Sequence, residues 1–146
     1  MKRLIAAAAL SAAFVAVSSF AADAGPPYSN GPVWDVQHIR TRDGHFDDYI
    51  KWVSTVWKAY QVAWMKAGYT VGYKVYVVVD PRADEPDILL CTEYKNMAAM
   101  DTSVAEQYAF AAKHFGPTAK QDQEQADRES IRTPMGDVLL REISLN

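Results

Sequence analysis

The chain has 146 residues, with 15 lysines and arginines against 18 aspartates and glutamates, a formal net charge of −3 and one cysteine. Such a balance offers no basic stripe for a nucleic acid or an anionic membrane surface. A single cysteine excludes an intrachain disulfide, so stability must come from packing alone.

Lys2 and Arg3 precede the apolar run "LIAAAALSAAFVAV", and small residues follow at Ser18, Ser19, Ala21, Ala22 and Ala24. These are the three parts of an export signal. The run is too short and too alanine-rich to be preferred as a membrane span of about 20 residues. Cleavage after Ala21 or after Ala24 fits the small-x-small rule, and Pro26 disfavours any later point. The expected location is periplasmic or extracellular, with no membrane attachment after cleavage. Removing 1–24 leaves 122 residues, enough for one domain with a modest core.

Residues 25–32, "GPPYSNGP", have the prolines and glycines of a flexible leader, and the domain is expected over 33–146. "VWDVQHIRT", 33–41, alternates as a strand, with Trp34, Val36, His38 and Arg40 on one face and Val33, Asp35, Gln37 and Ile39 on the other. Asp43-Gly44 turns the chain. From His45 to Ala67 the period becomes helical, and Phe46, Tyr49, Ile50, Val53, Val56, Trp57, Tyr60, Ala63 and Trp64 form one broad apolar stripe. Trp52 and Trp64 can cover its rim. Asp47 and Asp48 oppose the positive end of the helix dipole, and Gly68 ends the helix.

"YTVGYKVYVVV", 69–79, is a strand by its alternation and β-branched content, with Gly72 as a possible bulge. The loop "DPRADEP" joins it to a strand at 87–95, where Cys91 reads as a small buried hydrophobe rather than a reactive thiol. Asn96 can cap a helix that starts at Met97 and runs to about His114, with a break near Asp101-Thr102-Ser103. Gly116-Pro117 ends it. The stretch 118–132 is polar almost all round, an exposed helix or a partly ordered excursion in which Arg128 and Arg132, with Arg141 and Glu142, tie it to the last strand. "PMGD" reads as a turn and "VLLREISL", 138–145, as the closing strand.

The resulting order, β-α-β-β-α-β, is that of an α+β, ferredoxin-like split βαβ with an antiparallel four-stranded sheet. Helices would cover one face of that sheet. Yet the strands at 69–79, 87–95 and 138–145 carry large apolar groups on both faces, where a one-sided sheet alternates cleanly. A second layer is most economically another copy of the same sheet, which predicts a homodimer closed into a dimeric α+β barrel.

The segments "VWDVQHIRTRDGHFDDYIKW", "YKVYVVV", "LLCTEYKNMAAMD" and "VLLREI" resemble the dimeric α+β barrel proteins. That superfamily includes antibiotic-biosynthesis-monooxygenase-like, EthD-like and NIPSNAP-like proteins and chlorite-dismutase relatives, and the likeness is strongest to its small secreted bacterial members of unassigned role. It implies a dimer that binds an aromatic or polyketide-like compound without a cofactor, binds haem, or acts as a bare scaffold. It carries no catalytic signature.

His38 shares a strand face with Trp34 and Val36, so it can act as a base or ligand, or serve as a hydrogen-bonded structural histidine. Tyr76 and Glu93 are candidate partners for it in proton transfer, which would make the chain a cofactor-independent monooxygenase or isomerase. Trp34, Lys74 and Arg40 are candidate ligand contacts, although Lys74 and Glu93 equally suit a cross-strand ion pair. His45 opens a helix and reads as solvated. His114 can favour a helix C-terminus or approach a haem. No cofactor and no metal site are expected from spacing, because the three histidines show no ligand pattern. The expected function is binding of a small aromatic or apolar compound.

Overall fold

The computed structural model describes residues 25–146, so the export-signal reading of 1–24 falls outside the described residues. The elements run β1 (Tyr28–Thr41), α1 (Phe46–Trp52), a π-helical turn (Val53–Trp57), α2 (Lys58–Lys66), β2 (Gly72–Val77), β3 (Ile88–Tyr94), a 3-10 turn (Met97–Met100), α3 (Val104–Phe115), α4 (Thr118–Arg128) and β4 (Arg132–Leu145). The strands form one sheet in the order β2-β3-β1-β4, with every neighbouring pair antiparallel. This order is the ferredoxin-like split βαβ: β1 and β2 run in the same direction with β3 between them.

Alternation sorts the sheet into two faces. Ile39, Ile88 and Leu90 pack against Tyr49, Val53 and Trp57, so the odd positions of β1 and the even positions of β3 face the helices. Trp34, Val36 and His38 therefore face away. The Phe46–Lys66 region departs from one uniform helix at the π turn, which inserts an extra residue and shifts the phase of the apolar stripe. Ser54 and Thr55 both donate hydroxyl hydrogen bonds to the Lys51 carbonyl there, at 2.9 and 2.8 Å. Tyr49 and Trp52 before the turn, Trp57 at its end and Gln61 after it line one space.

α3 starts where Ser103, its N-cap, accepts from the Glu106 backbone N–H at 3.2 Å and donates to its carboxylate at 3.0 Å. Before it, Asn96 accepts from Ala99 N–H and caps only the 3-10 turn. The expected break at Asp101-Thr102-Ser103 is thus real. α3 meets α2 through aromatic rings: Trp64 lies 4.4 Å from Phe110 and Tyr60 3.9 Å from Phe115, centroid to centroid. α4 is an ordered helix rather than a loose excursion.

Three expectations change. Residues 25–32 are only in part a leader, because Tyr28, Ser29 and Asn30 already pair with Leu145, Ser144 and Ile143, and a register shift accommodates Pro32 before Val33. "PMGD" is no turn; it lies within β4. Pro134 pairs with Ile39 and Gly136 with His38, leaving Met135 as the extra residue of a bulge on an edge strand, the position where a proline's missing donor is tolerated. Gly136 has φ 104°, which a side chain would strain. Gly72, by contrast, opens β2 in register opposite Glu93, with no bulge. An added Cβ would sit 2.5 Å from Glu93 Oε2, the mobile end of a side chain that could swing aside.

Candidate functional site

Between the helices and the sheet lies a cleft of about 260 Å³. The first helical stretch supplies Tyr49, Trp52, Trp57, Tyr60, Gln61 and Trp64, the sheet supplies Gln37 and Leu90, and the C-terminal part of the chain supplies Gln125, Arg128 and Arg132. An outer cleft of about 490 Å³ shares Trp52, Tyr60 and Arg128 with it, so these three side chains stand where the two spaces meet. The helical period explains the aromatic wall, and the sheet explains its floor.

The polar groups are few and convergent. Arg128 donates to Gln125 Oε1 at 2.6 Å, and Arg132 donates to the same oxygen at 3.2 Å. The Arg128 guanidinium lies 4.4 Å from the Trp52 ring and that of Arg132 5.9 Å from the Tyr49 ring. Gln61 and Arg132 are each only 7% exposed. Gln61 Oε1, Arg128 Nε and Arg132 Nε make no hydrogen bond among the described residues. The ion pairs among those residues, His45–Asp48, Arg82–Glu85 and Lys120–Glu124, involve neither arginine.

Burial pushes the Tyr49 phenol up to about 12, a rise that Arg132 and Arg128 partly oppose and Asp87 adds to. It is a neutral donor at any physiological pH. Burial and the neighbouring Arg132 charge together hold Arg128 below the ordinary guanidinium value. Tyr60 is raised by burial and by Glu124, whose carboxylate accepts its hydroxyl at 3.5 Å.

The residues singled out from the sequence lie elsewhere. Trp34, His38, Lys74, Tyr76 and Glu93 are on the helix-free face of the sheet. One row across it runs Tyr76, Leu89, His38, Gly136, so His38 and Tyr76 are two strands apart, about 10 Å by strand spacing. Glu93 sits opposite Trp34, in another row. The sheet therefore does not bring His38, Tyr76 and Glu93 into hydrogen-bond reach. The Lys74–Glu93 ion pair is not formed either. Lys74 Nζ instead lies 4.7 Å from the Trp34 ring, and Trp34 Nε1 donates to Glu142 at 3.2 Å. Arg40 donates to the Arg82 and Glu85 carbonyls and so braces the β2–β3 loop.

Arg128 and Arg132 do link α4 to β4 through Gln125, but Arg141 and Glu142 take no part in that link. Cys91 is buried at 3% exposure, and its thiol is raised, chiefly by that burial. His45 pairs with Asp48 at 2.9 Å on the surface. His114 is exposed, its ring centroid 4.3 Å from that of Phe110.

The sequence held one unused signal for the cleft. Gln61 is a polar residue set among Trp57, Tyr60 and Trp64 on an otherwise apolar stripe, and Arg128 and Arg132 stand four apart. A second feature was also missed. Asp35, on the helix-side face of β1, is half-buried, and its carboxyl is raised by burial and then by Asp137. A raised folded-state value means that Asp35 favours the native state fully at low pH and that this stability is lost as pH rises through the folded value. Asp35→Asn is therefore expected to raise the unfolding midpoint at pH 7, with the gain shrinking as pH falls toward the ordinary carboxylate value of 3.8. Thermal unfolding at several pH values checks this, and a gain that persists undiminished at low pH would contradict it.

No protein-family model matches the chain. No curated protein matches it either. Among solved structures, it is similar to a protein from Shewanella oneidensis at 12% identity and a TM-score of 0.45, covering 80% of this chain and 97% of that one. It is also similar to a dimeric protein of unknown function and ferredoxin-like fold from Bacteroides fragilis, at 14% identity and a TM-score of 0.40, again with 80% and 97% covered. The fold assignment rests on this chain's own strand order.

Proposed function

We propose that the protein is an exported homodimer that binds a small compound with an aromatic or apolar body in the cleft between its helices and its sheet. The observation that carries this is the composition of the cleft: aromatic walls around a few convergent polar atoms, three of them without a protein partner. Ligand sites have this make-up, with apolar lining for affinity and sparse polar groups for orientation. At about 260 Å³ the inner space suits a compound of about one ring. Export is supported by the "LIAAAALSAAFVAV" segment and its basic and small-residue flanks.

The dimer is supported by the helix-free face, where Tyr76, Val138 and Leu140 are 49%, 39% and 50% exposed alongside Trp34 and Leu89. An apolar patch of this kind in one copy favours burial against a partner. Its histidine and phenol stand two strands apart and its carboxylate lies in another row, which favours an interface role over chemistry there. Native mass spectrometry of protein purified from its own compartment tests both halves. A two-subunit mass with a retained small molecule is expected. A monomer without an adduct, whose melting temperature no one-ring compound shifts, would overturn the reading.

A further inference from the structure

We propose, on the footing of the ligand cleft above, that the bound compound is a carboxylate and that Arg128 and Arg132 are the residues that take it. Arg132 is 7% exposed, yet its charge meets no acid among the described residues, and the second guanidinium beside it adds repulsion. A buried, unpaired cation is costly, and the half-buried guanidinium of Arg128 beside it adds to that cost. Gln125 Oε1 accepts from both and holds them together, while the rings of Trp52 and Tyr49 support them.

The nearby acids are engaged elsewhere: Glu124 with Lys120 and Tyr60, and Asp127 with Gln123. Each arginine retains a free Nε, and a guanidinium edge that includes Nε presents two parallel N–H groups, the spacing a carboxylate accepts in bidentate fashion. Gln61 Oε1, buried and without a donor, would receive a hydroxyl or amine on the same compound. The class defined by these contacts is a one-ring aromatic acid with a second polar substituent.

The test is titration of tryptophan fluorescence with 4-hydroxybenzoate, with 4-hydroxybenzamide as its neutral counterpart, and with inorganic phosphate. The acid is expected to bind at least about tenfold more tightly than the amide, the range of one charge-assisted contact. Arg128→Gln should abolish that preference, and Arg128→Lys, which keeps the charge but loses the fork, should retain only part of it. Circular dichroism of each variant confirms folding. Should Arg128→Gln fail to fold, Arg128→Lys and the acid-to-amide ratio of the native chain still decide the matter. Equal affinity for acid and amide would overturn the carboxylate assignment and leave the ligand cleft standing. Phosphate binding more tightly than the acid would overturn it in favour of a tetrahedral anion. Failure of both organic probes to bind at millimolar concentration would remove the ligand cleft itself, and the carboxylate with it.

Discussion

Replacing Trp57 with alanine is expected to lower the free energy of unfolding by about 3 to 5 kcal/mol, the range for deleting a large aromatic side chain from a core. Trp57 is 6% exposed and belongs to the cluster of Ile39, Tyr49, Val53, Ile88 and Leu90 that joins the helix to the sheet. Its ring also meets Tyr73 of β2 edge-on, at 5.5 Å and 89°, so the substitution removes a contact that reaches an edge strand. It closes the π turn and stands between the core and the cleft. Because a domain is stable by only about 5 to 15 kcal/mol, this variant should sit near the limit of folding. Urea unfolding followed by circular dichroism measures the loss. Trp64→Ala is the internal comparison: Trp64 is half-buried against Phe110 and Tyr69 and should cost clearly less. A Trp57→Ala loss under about 1 kcal/mol would mean that the aromatic stripe is not the keystone of the core.

Leu140→Glu is expected to convert the proposed dimer into a folded monomer. Leu140 pairs with Trp34, which places it on the helix-free face, and it is 50% exposed in the single chain, so folding does not depend on it. A twofold axis sets each such face against its own copy, so one substitution introduces two carboxylates into the same interface. Burying unpaired charges there costs several kcal/mol, more than enough to shift the association by orders of magnitude. Sedimentation velocity reads the change, and circular dichroism should be unaltered. Leu139→Glu makes the control. Leu139 is equally exposed at 49% but lies on the opposite face of the same strand, opposite Asp35, and should leave association intact. If Leu140→Glu remained dimeric, sheet-to-sheet packing would be the wrong interface.

The candidates for a site and the candidates for a core came from the same pattern. Alternation correctly placed Trp34, Val36 and His38 on one face, and the helical period correctly grouped Tyr49, Val53 and Trp57. What alternation does not carry is register. His38, Tyr76 and Glu93 share a face and looked like a constellation, but the pairing puts Leu89 between the first two and Glu93 in another row. Lys74 illustrates the same limit, since its side chain lies over the Trp34 ring rather than beside Glu93.

By itself the sequence determined the element order, the split βαβ class and the buried state of Cys91, because periodicity and apolar burial act over a few neighbouring residues. Only the tertiary structure decided that "PMGD" bulges within a long edge strand, that the leader pairs with the C-terminus, and that Gln61, Arg128 and Arg132 converge under aromatic rings. Those outcomes depend on which strand lies beside which and on how a π turn rotates one helix. They are set by contacts between residues distant in the chain, which no local pattern records.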